Sequence, residues 1–134
     1  MNIAPVIPGL TDTEMPALLE AIAQAGARRV AWVMLRLPYQ LKAVFLEWLQ
    51  RSVHPSRAQR VESLIRQMRD GKLYDAKSYD GQATRRRGRG VYADQIKQNF
   101  EVFTQRYGLN RDVRPLTSKH FRKPRLDGQM GLFG

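Results

Sequence analysis

The apolar positions follow two rhythms that alternate along the chain. Residues 3–7 (Ile3, Ala4, Pro5, Val6, Ile7) form a short run suited to a buried strand, which Pro8 and Gly9 interrupt. Met15, Leu18, Leu19 and Ile22 then recur at helical spacing, with Thr11 and Glu14 placed as a capping box and Gly26 as the stop. Residues 30–35 (Val30, Ala31, Trp32, Val33, Met34, Leu35) are almost continuously apolar and predict a strand covered on both faces, as in a parallel sheet; Pro38 turns the chain out of it. Leu41, Val44, Phe45, Trp48 and Leu49 mark a second amphipathic helix ending near His54 and Pro55. A third carries Val61, Leu64, Ile65 and Met68 behind a Ser56 cap and closes at Gly71.

The rhythm is lost over residues 72–90, which read as a mobile basic loop, and returns in Tyr92, Ile96, Phe100, Phe103 and Tyr107, the stripe of a fourth helix closed by Gly108. Residues 109–134 read as an extended basic tail. The organisation expected is therefore a βαβα-α portion over 1–71, a loop over 72–90, a helix over 91–108 and the tail. Strand–helix alternation implies an α/β fold with parallel strands and helical crossovers. Two strands make a small sheet, so the doubly apolar second strand calls for neighbours, from a homo-oligomer partner or from the rest of a larger barrel.

Charge changes the picture more than composition does. The 134 residues carry 23 Lys/Arg against 12 Asp/Glu, a net +11, while the apolar fraction of 43% is that of an ordinary globular protein. Most of the surplus lies beyond residue 71, which points to a polyanionic partner, above all nucleic acid. The sharpest feature is Arg85, Arg86, Arg87 and Arg89, set among Gly88 and Gly90, with Tyr79 and Tyr92 on either side. Arginines spaced by glycine can follow a phosphate backbone, and flanking tyrosines can stack on bases; a solvated basic loop explains the same composition. No run approaches a membrane span and the start has no basic, long apolar leader, so no membrane is expected and the cytoplasm is the expected compartment.

Chemistry is limited by one absence. The chain has no cysteine, which excludes disulfides, thiolate metal sites and cysteine nucleophiles. His54 and His120 stand apart without ligand-spaced partners and read as surface residues. There is no nucleophile–base set, no phosphate loop and no metal-ligand spacing, so no catalytic residue is assigned.

Residues 5–38 nevertheless resemble the last βα units of a radical S-adenosylmethionine (radical SAM) partial (β/α) barrel, in the strand running into Pro8, Gly9, Leu10, Thr11, Asp12 and a glutamate. Residues 65–75, 91–109 and 128–133 resemble the helical, basic C-terminal extension of its DNA-repair-photolyase-like subgroup, akin to spore photoproduct lyase. The resemblance implies a parent enzyme whose CxxxCxxC loop holds a 4Fe-4S cluster that binds S-adenosylmethionine. This chain lacks that loop, so the resemblance implies a C-terminal fragment that supplies part of the barrel wall, needs the missing N-terminal barrel half and is not catalytically competent alone. Sites in such barrels lie at the C-terminal strand ends, which here are Gly9 and Arg36. Gly9 would admit a ligand close to the backbone and Arg36 would pair with a carboxylate or phosphate; a turn glycine and a structural arginine are the plainer readings.

Gln129, Leu132 and Phe133 resemble a bacterial sliding-clamp-binding peptide, in which two apolar side chains fill a pocket and a glutamine fixes register; the same residues suit a tail folded back on the body. The leading functional class is thus a fragment of a radical SAM enzyme that faces nucleic acid. The alternative is a stand-alone, non-catalytic nucleic-acid or clamp-binding module, and a truncated remnant is a third class. Because cluster ligation needs thiolates, anaerobic reconstitution with iron and sulfide is expected to leave the chain without a stable 4Fe-4S chromophore; a stoichiometric cluster in the visible spectrum would overturn this.

Overall fold

The computed structural model describes residues 1–74, 86–111, 115 and 117–122. In chain order these form β1 (Asn2–Val6), a 3-10 turn (Asp12–Glu14), α1 (Met15–Gln24), β2 (Ala31–Met34), α2 (Leu41–Ser52), α3 (Pro55–Gln67) and α4 (Val91–Arg106). The fold is mixed α/β, with a two-stranded parallel sheet among the described residues. Asn2 pairs with Ala31, Ile3 with Trp32 and Val6 with Met34; the register is irregular between Ile3 and Val6, where Pro5 has no N–H for the ladder.

Two apolar clusters share this frame. The first lies between the sheet, α1 and α4: Val6, Val30, Trp32 and Met34 meet Met15, Leu19 and Ile22 on one side and Ala93, Ile96 and Phe100 on the other. The second lies past the strand ends, where Leu37 and Leu73 pack with Leu49 of α2 and Ala58, Val61 and Ile65 of α3. Met68, at the C-terminal cap of α3, belongs to the first cluster while Ile65 belongs to the second, so α3 joins them.

Local expectations change, beginning with the first strand, of which Val6 alone is buried. The doubly covered second strand is covered on one face: Val30, Trp32 and Met34 are buried, but Ala31 is exposed and Val33 half-buried. The capping box does not form, because the Thr11 hydroxyl accepts from the Ile7 amide (2.9 Å) and tightens the turn after β1. Ser56 is not the cap of α3, which begins at Pro55; a proline in the first turn lacks the N–H that would have needed a partner. The α1 face is as expected at Met15, Leu19 and Ile22, with Leu18 turned outward. On α2 only Leu49 is buried, while Leu41 and Val44 are 53% and 62% exposed, because this helix lies against α3 and beyond the sheet.

The end of α4 is fixed to the start of β2 by one residue. Asn110 accepts from the Val30 amide through Oδ1 and donates to the Val30 carbonyl through Nδ2, both at 2.9 Å, while its own amide donates to the Arg28 carbonyl. It acts as a one-residue strand on the edge of β2, and its φ of 60° is a conformation asparagine tolerates. Asn110→Ala leaves both Val30 backbone groups unpaired and is expected to lower the stability by about 2 kcal/mol, read as a lower denaturant midpoint with an unchanged slope.

Candidate functional site

The turn after β1 builds a polar cleft near a strand end. The Leu10 and Thr11 amides both donate to the Ile7 carbonyl, and Gly9 sits at the apex with φ 74°. A Cβ there would lie 2.9 Å from Cδ1 of Leu64 on α3, so packing as well as backbone conformation requires glycine. The first turn of α3 crosses this bend. Arg57 donates to the carbonyls of Gly9 (3.4 Å) and Leu10 (3.3 Å), tying the helix to the turn. A cleft of about 510 Å³ remains, lined by Gly9, Thr13, Ser56, Arg57, Arg60 and Tyr92.

Tyr92 of this lining is half-buried and bonded to the buried Asp12. Asp12 is 9% exposed, and its Oδ2 accepts from the Tyr92 hydroxyl at 2.5 Å, which links the turn to the first turn of α4. Its Oδ1 is buried without a hydrogen-bond partner among the described residues. Burial, reinforced by the hydrogen bond to Asp12 and its charge, raises the Tyr92 hydroxyl above the ordinary 10.0; the Gly9 amide and the Arg60 charge act the other way. The Tyr92 hydroxyl is thus held toward Asp12.

The residues expected from sequence fall in separate places. Gly9 lines the cleft, but Arg36 does not. Arg36 is exposed and turns to Tyr74, with its guanidinium 5.9 Å from the ring centroid and a 3.4 Å contact to the hydroxyl. The arginine that reaches the end of β2 is Arg69, which is buried and donates to the Leu35 carbonyl at 2.9 Å. Within the arginine run, Arg86 is exposed. Arg87 lies over the Trp32 ring at 5.2 Å. Arg89 pairs with Asp70 at 3.4 Å, and its amide donates to the Met68 carbonyl. Gly88 has φ 76°, and a Cβ on it would press on Cβ of Met68 at 3.2 Å, so this end of the run rests against the body. Arg85, Tyr79, Gln129, Leu132 and Phe133 lie outside the described residues.

Sequence reasoning missed Arg57, Arg60 and Thr13 and gave Ser56 a capping role. The available signal was two arginines three positions apart behind a helix-opening proline, which share a helix face; the turn they face is 48 residues from Arg57 in the chain. No group of three or more His, Asp or Glu that would hold a metal occurs among the described residues, and the chain has no cysteine. The donor set therefore does not fit a 4Fe-4S cluster, and no step is derived through one. No helix among the described residues is long and apolar enough to cross a membrane. Comparison with protein-family models, curated proteins and solved structures finds no match to this chain.

Tyr92→Phe removes the only hydrogen bond of the buried Asp12 carboxylate among the described residues and is expected to cost about 1–3 kcal/mol at neutral pH. A tyrosine whose folded pKa is raised contributes stability that is fully present below its unfolded value and lost as pH rises through the folded one. The wild-type chain should therefore lose stability above pH 10.0, and the variant should lose that part of the dependence, as measured by denaturation across the alkaline range.

Proposed function

We propose that this chain is a nucleic-acid-binding element that engages the phosphate backbone through its arginine segment, as the C-terminal part of a photolyase-like radical SAM protein. The observation that carries the nucleic-acid reading is the anchoring of that segment. Arg87 on Trp32, Gly88 on Met68 and Arg89 on Asp70 give the run a fixed base on the body, beside the exposed Arg86. A fixed base lowers the ordering cost of binding relative to a free chain. The net charge of +11 supplies long-range attraction to a polyanion.

The radical SAM part of the reading rests on the sequence resemblance and is supported by the parallel β1–β2 pair with a helix between its strands. In this reading β1 and β2 form part of a barrel wall. The half-covered face of β2 accepts neighbours from the rest of the barrel, and the cluster thiolates come from elsewhere.

Titration of a fluorescent single-stranded oligonucleotide by anisotropy tests the nucleic-acid reading. Binding should weaken steeply with salt, and Arg85→Gln with Arg86→Gln should reduce the log–log slope by about 0.7 for each phosphate that the variant no longer neutralises. Salt-insensitive binding, or none at low ionic strength, would refute it.

A further inference from the structure

We propose that the cleft beside Gly9 binds a phosphate monoester, either a free nucleoside monophosphate or the phosphorylated end of a nucleic-acid strand. This site is separate from the arginine segment and does not depend on the function assigned to it.

Three features define the ligand. The first is charge. Arg57 and Arg60 both line the cleft from the first turns of α3. Arg60 makes no hydrogen bond or ion pair with any described residue, and Arg57 makes only long contacts to two carbonyls, through Nε and one Nη. Two guanidinium groups facing one space match a dianion, whose oxygens can accept paired N–H donors, and they repel a cation. The Asp12 carboxylate behind Tyr92 offsets one of these two charges, so Arg57 and Arg60 together leave the cleft with a positive surplus.

The second feature is the set of short donors at the rim. Thr13 and Ser56 line the same space as the arginines, and the Ser56 hydroxyl also meets His54 Nδ1 at 2.9 Å. A hydroxyl can donate to a phosphate oxygen or accept from a sugar hydroxyl, so they suit a phosphate ester better than an apolar acid. The third is size and shape. A volume of about 510 Å³ lies within the range of small-molecule pockets and exceeds what a bare ion fills. The Tyr92 ring supplies an aromatic wall, held in place because its hydroxyl is bonded to Asp12. Gly9 contributes backbone alone to the lining.

The test is an amide-resolved NMR titration of the full chain with inorganic phosphate, adenosine 5′-monophosphate, adenosine, and a pair of short oligonucleotides that differ only in a 5′-phosphate. The expected result is that the monophosphate, and more weakly inorganic phosphate, shift the amides of Gly9, Thr13, Ser56 and Arg57, whereas adenosine does not. A free-nucleotide site binds the monophosphate at least as tightly as the phosphorylated oligonucleotide. A strand-end site favours the phosphorylated oligonucleotide over its unphosphorylated twin by about tenfold. Arg60→Gln should weaken phosphate-dependent binding by about tenfold with an unchanged melting temperature, and Arg60→Lys should recover part of it. Absence of shifts at millimolar monophosphate, shifts confined to residues 86–89, or unaltered affinity in Arg60→Gln would each overturn the proposal. Salt-dependent binding of the unphosphorylated oligonucleotide that survives in Arg60→Gln would leave the arginine-segment reading standing while the cleft fails.

Discussion

Trp32 belongs to β2, yet its ring, only 2% exposed, meets Phe100 of α4 at 6.2 Å and lies beneath the Arg87 guanidinium at 5.2 Å. Burying a side chain of this size contributes on the order of 4–6 kcal/mol of transfer free energy, more than any single polar contact in the molecule. Its indole N–H has no hydrogen-bond partner among the described residues, which returns about 1–3 kcal/mol of that gain. The balance still favours burial. Through it the strand, the last helix and the arginine segment are held as one unit, and Asn110 closes the same unit from the far end of α4.

Much of the basic character is part of the architecture. Arg69 reaches the Leu35 carbonyl, Arg87 covers Trp32, Arg89 meets Asp70, Arg66 meets Glu62 and Arg57 ties α3 to the first turn. A planar, weakly hydrated guanidinium can do this while keeping its charge. The exposed pairs add little stability, because water screens them. Such arginines hold the backbone in place and still contribute to the positive field that would attract a polyanion. That dual role fits the clustering of Arg57 and Arg60 around a cleft at a strand end, where open α/β sheets commonly place ligands.

The strand–helix alternation was legible because apolar spacing encodes it directly: the buried sets Met15, Leu19 and Ile22 on α1, Val61, Leu64 and Ile65 on α3, and Ile96 and Phe100 on α4 follow that spacing. The exposed face of α2 was not legible, since spacing reports that a face is apolar but not whether another element covers it. The Thr11–Glu14 pair has capping-box spacing, yet the Thr11 hydroxyl is drawn to Ile7 by the tight turn. Arg36 stands where a strand-end ligand contact was expected, yet Tyr74 offers it a ring and a hydroxyl from 38 residues away.

Element order, the parallel α/β class, the excess of positive charge and the exclusion of thiolate chemistry all follow from local spacing or from composition, so the amino-acid sequence sufficed for them. Which basic residues share a space is a property of the folded chain. Arg57 and Arg60 face Gly9 and Tyr92 because Leu64 packs against a glycine that has no Cβ and Asp12 captures the Tyr92 hydroxyl. Arg87 and Arg89 lie on the body because Trp32 and Asp70 are there to receive them. These are contacts between distant segments, and no local pattern carries them.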